Sequence, residues 1–118
     1  MRYMLLIYTN EASEPQQGSQ EAMQYFQDYG TFTEEVNKAG VFLAGDALMP
    51  VSTATTVRVR EGKALTTDGP FAETKEQLGG FYMLNCKDVD EALAWAAKIP
   101  GAKYGSIEVR PIMEFDQQ

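Results

Sequence analysis

The most chemically suggestive residues lie mid-chain, in and before the stretch TTDGPFAETKEQLGG at 66–80. Asp68 opens an Asp-Gly-Pro turn, where its carboxylate can accept backbone N–H bonds two residues on or face a ligand. Phe71 follows and would provide an apolar wall. Because sites usually lie on loops held by a rigid scaffold, the stretch is interpreted either as a pocket wall or as a rigid turn that positions the next strand.

Three arginines are the best candidates for binding an anion. Arg58 and Arg60 are two residues apart in an alternating run, so both would point the same way from a strand and could grip a carboxylate or a phosphate. Arg110 lies on the polar side of the last expected strand. The alternative for all three is pairing across strands with acids such as Glu108.

Tyrosine hydroxyls could line a cavity. Tyr8, Tyr25, Tyr29 and Tyr82 occur at spacings that are also typical of core aromatic residues. Tyr29 could donate a hydrogen bond to a ligand oxygen, or act as a general acid if its pKa were lowered. Asp46 ends an expected strand and would lie beside the same cavity or in a strand-end turn.

The composition excludes several kinds of site. The 118 residues include no histidine, which removes imidazole acid–base chemistry, Ser-His-Asp and Cys-His arrangements, and the usual zinc sites. Cys86, the single cysteine, lies in an apolar run and is predicted to be a buried small hydrophobe. Glu73 and Glu76 would be one helical turn apart, but Lys75 between them favours a solvated face. We therefore predict neither a metal nor an organic cofactor.

The net charge and the hydropathy of the chain limit the classes of partner that it could bind. A net charge of −7 argues against nucleic acid, which needs clustered Lys and Arg. The opening run MRYMLLIYTNE is too short and too quickly polar for a signal peptide or a membrane span. We therefore expect a cytoplasmic protein, not bound to membranes, with one domain over residues 1–118.

Hydrophobic periodicity and turn residues predict two helices and six strands. The strands are expected at 2–9, 41–48, 55–60, 64–67, 80–86 and 106–115, and the helices from Ser19 to about Ala39 and from Asp88 to Ile99. Pro70 could start one more helical turn through FAETKEQ. Without the hairpin at 55–67, the order β-α-β then β-α-β is the split βαβ, ferredoxin-like arrangement, an α+β fold with two helices on one face of an antiparallel sheet.

Both helices should bury an apolar face, and the sheet should have a second apolar face that they leave bare. The expected helix faces are Ala22, Phe26, Tyr29, Phe32, Thr33 and Val36 in the first helix, and Ala92, Leu93, Ala96 and Ile99 in the second. The first strand is apolar on both sides, because Met4, Leu6 and Tyr8 alternate with an equally apolar set. A second copy of the chain is the simplest cover, so we predict a homodimer.

Four blocks of the sequence carry a family resemblance. YMLLIY, AGDAL, ATTVRVREGKALTTDGPFAETKEQLGGFYML and EVRPIME span nearly the whole chain, which resembles the DGPF subgroup of the YCII-related proteins. The resemblance implies a ferredoxin-like fold that forms a dimeric α+β barrel. It also implies, for some members, an association with extracytoplasmic-function sigma factors.

The family's suspected active site is a His–Asp pair. By position, Tyr29 stands where the resemblance places the histidine, and Ile99, just before Pro100, stands where it places the aspartate. Both partners are absent here, so the chemistry of that pair does not carry over.

Two functional interpretations remain. In the first, the protein is a homodimer with a small-molecule cavity bounded by the sheet, the first helix and the DGPF loop. Any catalysis would be acid–base chemistry without a cofactor, with Asp68, Tyr29 and an arginine as the principal groups. In the second, it is a non-catalytic regulator or partner of an extracytoplasmic-function sigma factor.

Overall fold

The computed structural model describes residues 1–115 and confirms the predicted fold class. Its helices and strands are β1 Arg2–Thr9, α1 Gln20–Lys38, β2 Phe42–Ala47, β3 Thr55–Arg60, β4 Lys63–Asp68, β5 Gln77–Asn85, α2 Val89–Ala96 and β6 Gly105–Pro111. Four strands form an antiparallel sheet in the order β2-β5-β1-β6, and β3 pairs with β4 alone. This is the ferredoxin-like order with a hairpin inserted before β5.

Local side-chain caps start both helices where the sequence predicts. The Ser19 hydroxyl accepts a hydrogen bond from the Ala22 amide at 3.0 Å, and the Asp88 carboxylate accepts one from the Glu91 amide at 2.9 Å. The Glu91 carboxylate in turn accepts from the Lys87 amide at 2.8 Å. These bonds satisfy N–H groups that the first helical turn leaves without partners.

The core lies between the two helices and one face of the sheet. Its members from β1 and β5 are Tyr3, Leu5, Ile7, Tyr82 and Leu84, packed against Phe32, Val36, Ala92 and Ala96 of the helices. Two residues predicted to be buried are not: Phe26 is 80% exposed and Leu93 is 50% exposed. Leu93 follows Ala92, which faces the sheet, so it is rotated by about 100° away from the core.

The centre of the other face of the sheet is apolar, and within residues 1–115 neither helix covers it. Leu6 lies opposite Phe81, and Met4 lies opposite Met83, where β1 pairs with β5. Since successive side chains of a strand alternate between faces, these four project away from the helices, together with Tyr8. We refer to Met4, Leu6, Tyr8, Phe81 and Met83 as the open face.

The inserted hairpin has a two-residue turn and reaches beyond the sheet. Glu61 and Gly62 have φ angles of 52° and 77°, as required by the tight turn that the sequence predicts. The predicted helical turn through FAETKEQ is wrong, because no helix forms there and β5 begins at Gln77. The Gln77 side-chain amide instead donates to the carbonyls of Ala72 and Thr74, both at 3.1 Å, and holds an irregular turn.

The last strand is shorter than predicted. It ends at Pro111, and Met113 and Phe115 beyond it are both 74% exposed. The strand lies at the edge of the sheet, as Pro111 indicates, because proline removes a backbone donor that a central strand would need.

Candidate functional site

A cavity of about 630 Å³ opens between α1 and the end of the sheet where β1 finishes and β5 begins. It lies on the helix side of the sheet, at the edge of the core. Its walls come from β1 (Ile7, Thr9), the following loop (Glu11, Glu14, Pro15, Gln17), α1 (Ala22, Tyr25, Phe26, Tyr29, Thr33), the β2 segment (Phe42, Gly45–Pro50) and β5 (Gln77–Tyr82). The volume suits a small organic molecule.

Glu14 is the central charged group of this cavity. One carboxylate oxygen accepts a hydrogen bond from the Thr9 hydroxyl, and the other accepts one from the Tyr25 hydroxyl, each at 3.0 Å. These two donors fix the carboxylate, although it lies in an irregular loop. Thr9 is buried at the end of β1, so the strand anchors the loop and its acid.

Tyr29 stands beside Tyr25 and binds the backbone after α2. Its hydroxyl accepts a hydrogen bond from the Gly101 amide at 3.1 Å, and the two tyrosine rings meet edge to face at 5.2 Å between centroids. A Cβ atom on Gly101 would lie 2.6 Å from the Tyr29 hydroxyl oxygen. The absence of a side chain at Gly101 is therefore what lets the hydroxyl approach the amide.

Thr33 and Tyr82 form a second hydroxyl pair in the wall. The Thr33 hydroxyl donates to the Tyr29 carbonyl at 2.9 Å, so its single proton is already used. Across the 2.8 Å between the two hydroxyl oxygens, the Tyr82 hydroxyl must therefore be the donor. Gly45 leaves room for the Tyr82 ring, because a Cβ there would lie 2.8 Å from a ring carbon.

Burial sets the protonation of the three tyrosines. Desolvation is the main cause that raises the pKa of Tyr25, of Tyr29 and of Tyr82 above the ordinary value. The neighbouring Tyr29 and Glu14 raise the pKa of Tyr25 further. All three hydroxyls therefore keep their protons near neutral pH, and the pKa of Tyr29 moves opposite to the direction that a general acid would need.

Two predicted site residues border the cavity. Tyr29 contributes its side chain, as described above. Asp46 borders it from the end of β2, where it pairs with Phe81 of the open face. Because Gly45 before it pairs with Tyr82 on the helix side, the Asp46 carboxylate leaves toward the open face.

The predicted residues of the hairpin lie outside the walls of this cavity. Asp68 is exposed and ends β4 opposite Thr55. Phe71 is 77% exposed. Only the end of the TTDGPFAETKEQLGG stretch, Gln77–Gly80, reaches the cavity, so the DGPF turn itself is not a wall within the single chain.

The three arginines do not converge with one another or with the cavity. Arg58 donates to the Phe71 carbonyl at 3.1 Å and so braces the DGPF turn, and Arg60 donates to the Val59 carbonyl at 3.0 Å. Arg110 lies opposite Met4 on the open face of the sheet. Tyr8 lies on the same face, opposite Ser106. The predicted site residues thus occupy three separate places: the cavity, the hairpin with the DGPF turn, and the open face of the sheet.

The sequence interpretation missed the acid at the centre of the cavity. Glu14 lies in a polar loop with no periodic pattern, and its position depends on Thr9 and Tyr25, which lie five and eleven residues away. The segment Leu48–Pro50 also lines the cavity, although the sequence predicts it only as the end of a strand. The signal that could have indicated a cavity wall was three apolar residues in a row beside a proline, which is unusual for an exposed connection.

The fold and the cavity together define a class: a ferredoxin-like α+β domain of the kind that forms dimeric barrels, with a pocket between its first helix and its sheet. A family model described as the YCII-related domain matches residues 1–116. The chain therefore belongs to the YCII-related family, as the sequence resemblance indicates.

Two relatives illustrate the match. An uncharacterised protein of Rhizobium meliloti (strain 1021) is 37% identical over 114 residues, which are 95% of this chain and 92% of that protein. The solved structure of 5-chloro-2-hydroxyhydroquinone dehydrochlorinase (TftG) from Burkholderia phenoliruptrix AC1100, in complex with 2,5-dihydroxybenzoquinone, is similar with a TM-score of 0.56 at 13% identity. The similarity covers 98% of this chain and 96% of that one, and it supports the fold.

Within residues 1–115, neither helix combines the length and the apolar character that a bilayer crossing requires. In the same part of the chain, cysteine and carboxylate side chains do not gather in groups of three or more that could hold a metal ion.

Proposed function

We propose that this protein binds a small organic molecule in the cavity between α1 and the sheet, and that Glu14 performs acid–base chemistry on it without a metal or organic cofactor. The observation that carries the proposal is the convergence of Glu14, Tyr25, Tyr29 and Thr9 in one largely apolar cavity. Concave apolar pockets with a few fixed polar groups are typical of ligand sites.

Glu14 has the chemistry of a general base. Each of its oxygens keeps lone pairs beyond the one used by Thr9 or Tyr25, so it can accept a proton from a bound ligand and return it at another atom. Tyr29 orients Tyr25 through the edge-to-face contact and does not itself exchange a proton.

The similar dehydrochlorinase supports a small-molecule function in a limited way. Its structure holds a small ring compound, 2,5-dihydroxybenzoquinone, on the same fold. A ring of that size is compatible with a cavity of about 630 Å³ here. We do not assign the reaction of that enzyme to this protein, because the two sequences are only 13% identical.

Blocking the cavity tests the binding proposal. Ala22 lines the cavity from α1, and Ala22→Trp would fill part of it. Ala94→Trp is the matched control, because Ala94 is exposed on α2 outside the cavity. We expect compounds found by ligand-observed NMR against the native protein to bind Ala94→Trp equally and to lose most of their affinity for Ala22→Trp. Equal binding to both variants would refute the site.

Glu14→Gln tests the chemistry. A general base commonly contributes about 10²–10⁴-fold to a rate. Any turnover found should therefore fall at least about 100-fold in Glu14→Gln, with a change of only a few fold in ligand affinity. Glu21→Gln, an exposed acid of α1, should leave the rate unchanged. A Glu14→Gln enzyme that retains its rate would disprove the assigned role.

The assembly belongs to the same proposal. A second copy packed on the open face would bury Leu6, Phe81 and their neighbours, and would form the dimeric barrel. The predicted catalytic role of Asp68 and the predicted ligand roles of Arg58, Arg60 and Phe71 then require the hairpin and the DGPF turn of one copy to approach the cavity of the other. The roles of Tyr8, Asp46 and Arg110 require a site at the contact between the sheets. A cytoplasmic location remains part of this proposal.

A partner function is the alternative. The DGPF-type central block supports membership of that subgroup and, with it, association with an extracytoplasmic-function sigma factor. The specific observation in its favour is the exposed apolar surface of the hairpin and the DGPF turn after it, where Val57, Val59 and Phe71 are 60%, 62% and 77% exposed. Specific capture of a sigma factor that is lost on Phe71→Ala would favour this alternative, and capture that is unaffected would count against it.

A further inference from the structure

We propose that the ligand of this cavity is a small organic cation, an amine with an apolar body, which binds with its ammonium group at Glu14. The inference rests on the proposed binding function and specifies its ligand class. It follows from the direction of the hydrogen bonds, the charge of the walls and the kind of apolar surface that they present.

Four of the five hydroxyl groups that line the cavity have already committed their protons. Thr9 and Tyr25 donate to Glu14, Thr33 donates to a backbone carbonyl, and Tyr82 donates to Thr33. What these four groups still offer to a ligand is lone pairs, whereas Tyr29, which accepts from the Gly101 amide, is the one wall hydroxyl whose proton these bonds do not use. An ammonium group has three donors and no acceptor, so it complements this surface, whereas a carboxylate or a phosphate offers only acceptors.

The charge of the walls has one sign. Glu14 and Glu11 line the cavity, whereas its described lining contains no lysine or arginine. Asp46 also borders the cavity, but its carboxylate leaves toward the open face and is not counted in this charge. One Glu11 oxygen accepts from the Val51 amide at 2.9 Å, which fixes this second carboxylate at the loop side. An anionic ligand would enter a partly desolvated space beside like charges, which opposes its binding.

The apolar lining is rich in aromatic rings. Tyr25, Tyr29, Phe42 and Tyr82 line the helix side, and Phe26 stands exposed at the margin. Ring faces attract cations through their quadrupole, and they do so more strongly where water is excluded. A cavity that combines a fixed carboxylate with several rings thus favours an alkyl- or arylammonium group over a neutral molecule of the same shape.

Three probes of equal size but different charge test this inference. Benzylamine, benzyl alcohol and benzoate are titrated into the native protein at neutral pH, and the dissociation constants are measured by protein-observed NMR. We expect benzylamine to bind about tenfold more tightly than benzyl alcohol, as one charge-assisted hydrogen bond would give, and benzoate to bind more weakly than both.

Two charge-neutralising variants complete the test. Glu14→Gln should reduce the preference for benzylamine over benzyl alcohol to within about threefold, because the charge at the site is lost while the shape is kept. Glu21→Gln removes the same charge from an exposed position of α1 and should leave the preference intact.

The contrary outcomes are distinct. Benzyl alcohol or benzoate binding as tightly as benzylamine would overturn the cation inference while leaving the binding function in place. A benzylamine preference that survives in Glu14→Gln would also overturn it. Failure of benzylamine to bind the native protein would refute the inference, and the comparison of Ala22→Trp with Ala94→Trp would decide the binding function separately.

Discussion

The contact between Gly101 and Tyr29 gives a stability prediction with an internal control. A Cβ placed on Gly101 would lie 2.6 Å from the Tyr29 hydroxyl oxygen, 3.0 Å from a methyl carbon of Ile7 and 3.4 Å from the Tyr25 hydroxyl oxygen. Gly30, inside α1, has no atom within 4 Å of the same position. Glycine-to-alanine substitutions at these two places should therefore have opposite effects.

The magnitudes follow from the two environments. Gly101→Ala overfills a packed site, which costs about 1–3 kcal/mol, and displaces the 3.1 Å bond between Tyr29 and the Gly101 amide, which costs about 1 kcal/mol more. The atom that must move is the hydroxyl oxygen at the end of the Tyr29 side chain, which can shift more easily than backbone. We therefore expect a total near the low end of this range, about 2 kcal/mol. Gly30→Ala should stabilise by about 0.5–1 kcal/mol, because alanine is the better helix former.

Urea unfolding followed by circular dichroism measures both variants. A destabilisation of about 2 kcal/mol corresponds to a fall in Tm of about 8 °C for a domain of this size. The substitution Gly101→Ala should cost clearly less in a Tyr29→Phe background, because the clashing oxygen is then absent. If Gly101→Ala were neutral, or if its cost did not depend on Tyr29, the described packing around the cavity would be wrong.

Two further predictions concern pH and assembly. Because burial raises the folded-state pKa of Tyr25, Tyr29 and Tyr82, their contribution to stability is present below about pH 10 and is lost as the pH rises above that value. The urea midpoint of unfolding should therefore fall above about pH 10, and it should fall less steeply in Tyr25→Phe. Equal slopes in the two proteins would contradict the burial of the Tyr25 hydroxyl. Leu6→Glu places a charge on the open face and should convert the proposed dimer to a monomer in sedimentation velocity. Leu93→Glu, on the exposed side of α2, is the control and should leave the dimer intact. A native protein that sediments as a monomer at micromolar concentration would refute the dimer.

The sequence predicted the fold well where local signals decide structure. The caps at Ser19 and Asp88 depend on residues three positions away, and the turn at Glu61–Gly62 depends on its own two residues. The helical turn predicted after Pro70 failed for the opposite reason. Its carbonyls are held by the Gln77 side chain, a contact that a local pattern does not reveal.

The candidate site could be predicted only in part. Tyr29 was named because it stands where the family resemblance places a histidine, and its place on the apolar face of the first helix follows from periodicity. Glu14 was missed because its role arises from bonds to β1 and α1, and loop residues have no periodicity that indicates such contacts. Asp68 was favoured from its turn chemistry, but turn chemistry specifies the local backbone and does not indicate which cavity, if any, a turn approaches.

Amide chemical-shift mapping with the tightest-binding amine probe tests the central claim most directly. If a small molecule binds beside Glu14, the largest shifts should fall on the cavity walls at Ala22 and Gly80, and on the Gly101 amide, which donates a hydrogen bond to the wall residue Tyr29. These shifts should disappear in Ala22→Trp. Largest shifts in the hairpin at 55–68 or along β6, with the cavity walls unmoved, would contradict the account and move the site elsewhere on the molecule.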